Sequence, residues 1–169
     1  RQYNGCVVEK ENVETAWANV ESQYQRRADL IPNLVNPVKG YAAHEASTLE
    51  GVMEARAKAT SITIDATNVS AEQLAAYQKA QGELSSALGR LMAVSESYPE
   101  LKANQNFLDL QAQLEGTENR IAVARNTFNE QARVYNTLIR QFPTNIVAGM
   151  AGFDKKPYFE AEESAKSAP

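Results

Sequence analysis

The residues best suited to chemistry are the single cysteine, Cys6, and the single histidine, His44. A thiolate next to an imidazole base can act as a nucleophile, and these two residues could meet if the first two helices were antiparallel. They would then lie near different ends of those helices or depend on loose chain termini, so we predict no catalytic pair. We expect Cys6 to be a small buried residue, with a reactive thiol or a lipid-attachment site as the alternative. We expect His44 to be partly exposed.

Metal chemistry needs ligand sets that this sequence does not supply. A di-iron site in a helical bundle requires Glu-x-x-His pairs, and the sequence has none. His44-Glu45 begins a zinc-protease motif, but Thr48 stands where the second histidine is needed. One cysteine and one histidine cannot complete a structural zinc site. We therefore expect no metal, no cofactor and no catalytic residue, and we predict that the protein is not an enzyme.

Length and charge exclude further classes of function. A chain of 169 residues is most economically one domain with a substantial core. The net charge of −4 and the dispersed basic residues argue against a nucleic-acid partner, which requires clustered Lys and Arg. The longest apolar stretch, Ile146–Phe153, contains two glycines and is far shorter than the roughly 20 residues of a membrane-spanning helix.

The strongest helical pattern belongs to the last long segment, where apolar residues recur in alternating steps of three and four. This seam consists of Phe107, Leu110, Leu114, Thr117, Ile121, Ala124, Phe128, Gln131, Tyr135, Leu138 and Phe142. It predicts a helix over Asn106–Arg140 of about 50 Å, with Asn104 as its N-cap and Pro143 as its stop. Gly116 is the point at which a break would occur. Gln131 is expected to set the helix register rather than bind a ligand.

Two prolines predict a break in the first helical part of the chain. One seam carries Val13, Trp17, Val20, Tyr24, Arg27 and Ile31. Because a proline inside a helix costs about 3 kcal/mol or more, Pro32 and Pro37 predict a turn between about Ile31 and Asn36. A second helix is then expected from Pro37 to about Ile62. Its inward residues would be Tyr41, Leu49, Val52 and Ala59.

A third helix follows a loop over 63–68. Ser70 and Gln73 form a capping-box pattern, and Tyr98-Pro99 closes the helix. Its seam consists of Leu74, Tyr77, Gln81, Leu84, Leu88, Leu91 and Tyr98. The sequence therefore predicts an all-α, up-and-down four-helix bundle with a long last helix and an irregular C-terminal tail. We expect one domain over 1–163, with the tail 142–163 packed on it and 164–169 frayed.

Arg27 is the odd residue on an otherwise apolar seam, because a buried charge needs a partner. The candidate partners are Glu115, Glu118 and Asp29. We expect Arg27 to bridge helices or to extend its charged end to solvent. An anion-binding site is the alternative.

The C-terminal tail is the candidate functional region. Its prolines and glycines argue against a regular helix, although many of its residues are apolar. The tail is therefore expected either to cover one end of the bundle as a lid or to form an exposed docking surface. The candidate interaction residues are Phe142, Pro143, Asn145, Ile146, Val147, Met150, Phe153, Tyr158 and Phe159.

Several long motifs, all in one register from about Tyr3 to Glu163, resemble the LemA family. They are Asn12-Val13-Glu14-Thr15-Ala16-Trp17, the run from Arg26 to Glu45, Ala55-Arg56-Ala57, the run from Leu114 to Arg125, and Phe142-Pro143-Thr144-Asn145. The resemblance implies a four-helix bundle that a single N-terminal span, outside this chain, holds at a bacterial cell membrane with the soluble domain outside the cytoplasm. It implies no activity and no catalytic residues. The chain departs from the family pattern at Cys6, Pro37 and Ala151.

Two functions fit these observations. The first is a non-enzymatic, membrane-tethered interaction or scaffold module that docks a protein partner in the cell envelope. The alternative is a binding protein for a small apolar or lipid-like ligand held between helices. The sequence specifies neither the identity of the partner nor the oligomeric state.

Overall fold

The computed structural model describes residues 2–141 and 144–160. These residues form six α-helices and one short 3-10 helix and contain no strand, so the predicted all-α class is confirmed. The elements are α1 (Gln2–Tyr41), the 3-10 helix (Ala43–Glu45), α2 (Ala46–Ser61), α3 (Ala71–Glu96), α4 (Pro99–Lys102), α5 (Gln105–Arg140) and α6 (Thr144–Ala151).

The two longest helices, α1 and α5, pack antiparallel along their lengths. The rings of Trp17 and Phe128 lie 5.6 Å apart between centroids near one end of the pair. At the other end, the Asn104 side chain that caps α5 also donates to the Tyr41 hydroxyl at 3.4 Å. The shorter helices α2 and α3 form a second antiparallel pair, with Lys58 and Glu83 joined by a 3.0 Å ion pair.

The predicted course of α5 is confirmed. The helix begins at Gln105, one residue before the predicted start, and continues to Arg140 without a break at Gly116. The Asn104 side chain accepts a hydrogen bond from the Phe107 N–H, which is the predicted N-cap. Most of the described seam residues are buried, whereas Leu110, Gln131 and Leu138 are half-buried.

The predicted turn after the first segment is wrong, because α1 continues through Pro32 and Pro37 to Tyr41. The helix buries Leu34 and Val38 completely on the face that meets the core. This burial offsets the backbone hydrogen bonds that the two prolines forfeit. The connection lies instead at the 3-10 helix, and α2 is correspondingly shorter than predicted.

Tyr41 was expected to point inward, but its side chain is 41% exposed. The other three inward residues of that segment, Leu49, Val52 and Ala59, are buried as predicted. The capping box of α3 is also confirmed, since the Ser70 side chain accepts from the Gln73 N–H while the Gln73 side chain accepts from the Ser70 N–H.

Side chains of the bundle form two apolar clusters. One lies near the 3-10 helix, at the end of α1 that contains Ile31, Leu34 and Val38. The other surrounds Trp17 and includes Phe159 from the end of the chain. Helix α3 begins only at Ala71, so the first turns of α1 and the last turns of α5 extend beyond it. The C-terminal residues cover this extension.

The part of the tail over Thr144–Ala151 is the helix α6, so the expectation of an irregular tail is wrong there. Gly149 lies inside this helix, and Gly152 ends it with a φ of +78°. The Phe153 N–H donates to the Ala148 carbonyl at 2.9 Å, the bond expected where a left-handed glycine terminates a helix. Residues 153–160 then continue without regular secondary structure and are called the C-terminal segment below.

Candidate functional site

The C-terminal segment lies along the last turns of α5 and runs antiparallel to that helix. Lys156 contacts Asn136, Phe159 contacts Asn129, and Glu160 contacts Arg125, which lies still earlier on α5. The segment ends between α3 and α5, because Gln78 of α3 and Arg125 of α5 both donate to the Glu160 carbonyl. It therefore joins the two helix pairs of the bundle.

Side-chain amides hold the main chain of this segment by reciprocal pairs of hydrogen bonds. Asn136 donates from Nδ2 to the Lys156 carbonyl at 2.7 Å and accepts the Lys156 N–H on Oδ1 at 2.6 Å. Asn129 does the same with Phe159, at 3.2 and 2.8 Å. Gln78 makes a third such pair with Glu160, at 2.9 and 3.3 Å. Each amide thus satisfies both polar groups of one peptide residue, as a neighbouring β-strand would.

The register of these contacts follows from elementary geometry. Asn129 and Asn136 are seven residues apart on α5, which corresponds to about 10.5 Å along a helix. Lys156 and Phe159 are three residues apart, which corresponds to about 10 Å of extended chain. The two spacings match, so only an extended backbone can meet both asparagines at once.

Phe159 is the principal apolar anchor of the segment. Its ring lies 6.1 Å from Trp17 at an interplanar angle of 20°, and 5.6 Å from Phe128 at 75°. The Arg125 guanidinium covers the ring at 4.7 Å from the centroid. Phe159 is only 6% exposed, so its burial contributes about 1.5–3 kcal/mol. The contact ties the end of the chain to the core.

The charged side chain of Lys156 is buried at an energetic cost. Its side chain is only 5% exposed, and its ammonium lies 5.8 Å from the centre of the Tyr135 ring. Burial lowers the pKa of Lys156, and the nearby charge of Lys10 lowers it further. Glu14, Asp154 and Asp65 raise it in part. The segment is therefore bound despite the desolvation of a cation.

The structure divides the predicted interaction residues into separate groups. Ile146 and Met150 are exposed on α6, at 52% and 85%. Phe159 is buried, whereas Phe153 is half-buried against the rings of Tyr3 and Tyr135. Tyr158 is 40% exposed, and its hydroxyl accepts from Asn136. Phe142 and Pro143 lie outside the described residues, as do the side chains of Asn145 and Val147.

Sequence reasoning missed the amides that hold the segment. Asn136 is 1% exposed, and a buried amide on a helix requires hydrogen-bond partners that the helix itself cannot give. The seven-residue interval between Asn129 and Asn136 on the inward side of α5 was the available signal. Their partners were not visible, because residues 153–160 have no helical or strand period.

Arg27 bridges helices, as one of the two predicted roles stated. Its side chain is 1% exposed and lies 3.1 Å from the Glu118 carboxylate, so Glu118 is the partner among the three candidates. It also donates to the Ser85 hydroxyl at 2.7 Å and to the Gln81 carbonyl at 2.9 Å. The arginine thereby connects α1, α3 and α5 at the middle of the bundle.

The residues considered first for chemistry are far apart. Cys6 is fully buried, as expected, and burial raises the pKa of its thiol. His44 is exposed in the 3-10 helix beyond the far end of α1, about 50 Å away along that helix. Across the ranges 2–141 and 144–160, no group of three or more His, Cys, Asp or Glu side chains could hold a metal ion. None of the helices in these ranges is both long and apolar enough to cross a bilayer.

An open groove of about 1100 Å³ runs beside the segment along α3. Leu74, Gln78, Gly82 and Ser85 line it on the helix side. The opposite side consists of Lys155 to Tyr158 and Glu160. Lysines, two glutamates and serines contribute to its lining beside apolar residues such as Leu74, so the groove has a mixed polar and apolar character.

Comparison with known sequences identifies the chain. The sequence model of the LemA family matches residues 16–169. The chain belongs to the LemA family. It is 31% identical to magnetosome protein MamQ 1 of Paramagnetospirillum magneticum over 185 aligned positions, which cover 99% of this chain and 68% of the relative. The same values hold for magnetosome protein MamQ of Magnetospirillum gryphiswaldense. Identity to protein LemA of Metamycoplasma hominis is 24% over 160 positions, covering 95% and 69%.

The family match confirms the resemblance predicted from the motifs. The part of the chain that matches the LemA family contains Trp17, Gln78, Asn129 and Asn136, together with the segment that these residues hold. None of the relatives' names states a reaction.

Proposed function

We propose that this LemA-family domain is a non-enzymatic, membrane-tethered module of the bacterial cell envelope that docks a protein partner through α6. The observation that carries the proposal is the exposed apolar face of this helix. Met150 is 85% exposed and Ile146 52% exposed, and their four-residue spacing places them on one side of the helix. Exposed apolar side chains that neighbour one another are typical of docking surfaces.

The rigid attachment of α6 supports this role. The helix packs against α1 and α5, and its residue Ala148 is only 2% exposed. The C-terminal segment fixes its other end, since residues that follow Gly152 bond to Asn136 and Asn129. While the C-terminal segment is bound, the apolar face is therefore presented in one orientation, which lowers the entropic cost of binding.

The tether and the location are parts of the same proposal. Membership of the LemA family supports an N-terminal anchor outside this chain and a domain exposed outside the cytoplasm. In intact cells, an externally added protease should then cleave the domain only after the outer barrier is opened. Cleavage that requires lysis of the cytoplasmic membrane would contradict this location.

The alternative function, a binding protein for a small apolar ligand, has weaker support. The apolar clusters around Trp17 and Ile31 are filled by side chains of the protein itself. The groove along α3 is open and partly lined by charged residues such as Lys79 and Glu83. An enclosed apolar cavity would be the expected ligand site.

Site-specific photo-crosslinking in the native envelope tests the docking role. A photoreactive residue at Met150 should give a crosslinked protein of defined mass, and Ile146→Asp should abolish it. Val123 serves as the matched control position, because it is an apolar residue of α5 that is 65% exposed. Equal crosslinking at both positions, or none at Met150, would remove the support for docking through α6.

A further inference from the structure

The bundle residues that bind the C-terminal segment are suited to a class of peptides and do not require one unique sequence. The amides of Gln78, Asn129 and Asn136 bind main-chain atoms, which any extended peptide except one with a badly placed proline can supply. Side-chain recognition is concentrated at Phe159, which fills the pocket between Trp17 and Phe128. The site thus selects an extended backbone with one aromatic side chain at a fixed distance.

The segment is attached in a way that allows it to leave while the helices remain folded. Its main-chain bonds to α3 and α5 go to side chains, and of its residues only Lys156 and Phe159 are buried. Gly152 connects it to α6 with a φ of +78°. Segments with few buried contacts open locally at a lower free energy than the whole domain.

The segment also carries a residue that does not suit its site. Lys156 places a cation in a buried position beside the aromatic ring of Tyr135. A peptide with an apolar residue there would avoid the desolvation of the ammonium. A second copy of this chain would bring the same lysine and would lack the high effective concentration of the tethered segment. Exchange between copies is therefore unfavourable.

We propose that Gln78, Asn129, Asn136 and the pocket filled by Phe159 together form a binding site for an extended segment of a partner protein. That segment has an aromatic residue at the position of Phe159 and an apolar residue at the position of Lys156. In the free protein the chain's own segment occupies the site. The open groove along α3, beside Lys156 and Tyr158, gives the incoming peptide access. The inference rests on the proposed docking role but uses a surface other than the face of α6.

Peptide binding to the complete chain tests this site. Phe159→Ala weakens the binding of the chain's own segment. It leaves unchanged the three amides and the two rings, Trp17 and Phe128, that form the site. The first probe is a labelled peptide with the native sequence Phe-Asp-Lys-Lys-Pro-Tyr-Phe-Glu. The second has methionine in place of its second lysine, and the third has in addition alanine in place of its second phenylalanine. Binding is measured by fluorescence anisotropy.

The methionine probe should bind the Phe159→Ala chain about tenfold more tightly than the native probe does, and the alanine probe should bind weakest of the three. The methionine probe should also bind the Phe159→Ala chain at least about tenfold more tightly than the wild-type chain, because the chain's own segment competes less in the variant. Adding Asn129→Ala should weaken binding about tenfold. Asn126→Ala is the matched control, since Asn126 is an exposed asparagine of α5.

The proposal fails if no probe binds a Phe159→Ala chain that circular dichroism shows to be folded. If that variant does not fold, Phe159→Leu replaces it in the same measurement. Dimers of the wild-type chain in sedimentation that are lost in Phe159→Ala would identify a second copy as the occupant and overturn the proposal. Loss of crosslinking at Met150 with intact peptide binding would instead reject the α6 role alone.

Discussion

The indole of Trp17 and the ring of Phe159 lie nearly parallel, with 6.1 Å between their centroids. Trp17 belongs to the first helix, and Phe159 belongs to the extended C-terminal segment. Trp17 is the only tryptophan of the protein and is fully buried. Its fluorescence therefore reports on whether the C-terminal segment is in place.

Phe159→Ala should lower the free energy of unfolding by about 1.5–3 kcal/mol, because it removes a buried aromatic ring. The emission of Trp17 should shift to longer wavelength before the helices unfold, since the indole loses its stacked neighbour. Chemical denaturation followed by both fluorescence and circular dichroism measures the two effects. Met150→Ala is the control and should change stability by less than about 0.5 kcal/mol, because Met150 is 85% exposed.

Asn136→Ala should destabilise the domain by about 1–3 kcal/mol, because the buried N–H and carbonyl of Lys156 lose their partners. The same substitution at exposed Asn126 should be neutral or slightly stabilising, since alanine favours a helix. Urea unfolding of the two variants gives the comparison. Equal stabilities would show that the amide pair contributes nothing to the fold.

Lys156→Met should stabilise the protein near neutral pH, because it removes a buried cation. The pKa of Lys156 in the folded chain is lowered from its ordinary value of 10.5. The unfolded chain therefore binds more protons between the two pKa values, and wild-type stability rises with pH in that window. The advantage of the methionine variant should shrink across the same window. A constant difference between the two proteins from pH 7 to 10.5 would contradict the buried charge.

Arg27→Ala should cost about 1–3 kcal/mol, because the carbonyl and side-chain oxygen of buried Gln81 lose their donor. Arg27→Lys should recover only part of this loss, since an ammonium cannot reproduce the fork of the guanidinium. Thermal unfolding of both variants tests the order. Recovery of full stability by lysine would show that charge alone suffices at this position.

The sequence predicted correctly those helices and caps that are determined by residues close together in the chain. The unbroken spacing of α5 and the capping pair of Ser70 and Gln73 depend on residues a few positions apart, and both predictions are confirmed. The course of α1 through Pro32 and Pro37 depends on core packing at Leu34 and Val38. That burial is a tertiary effect which overrides the local cost of proline, so the predicted turn was wrong.

The candidate site was predictable only in part for a related reason. The apolar tail indicated a region of interest, but its division into an exposed α6 and a bound segment depends on Asn129 and Asn136. Their hydrogen bonds join residues 20 to 30 positions apart in sequence, and the bound segment has no periodic pattern. A buried asparagine on a helix signals that a partner exists without saying which residue supplies it.

Hydrogen exchange of the segment's own amides tests the central claim most directly. The N–H groups of Lys156 and Phe159 are bound by Asn136 and Asn129, so they should exchange more slowly than that of Tyr158. They should also exchange faster than the core amides of α5, with little dependence on denaturant, because the segment opens locally. Equal protection of Lys156, Tyr158 and Phe159, or exchange only at the rate of global unfolding, would contradict a segment that amide pairs hold and local opening releases.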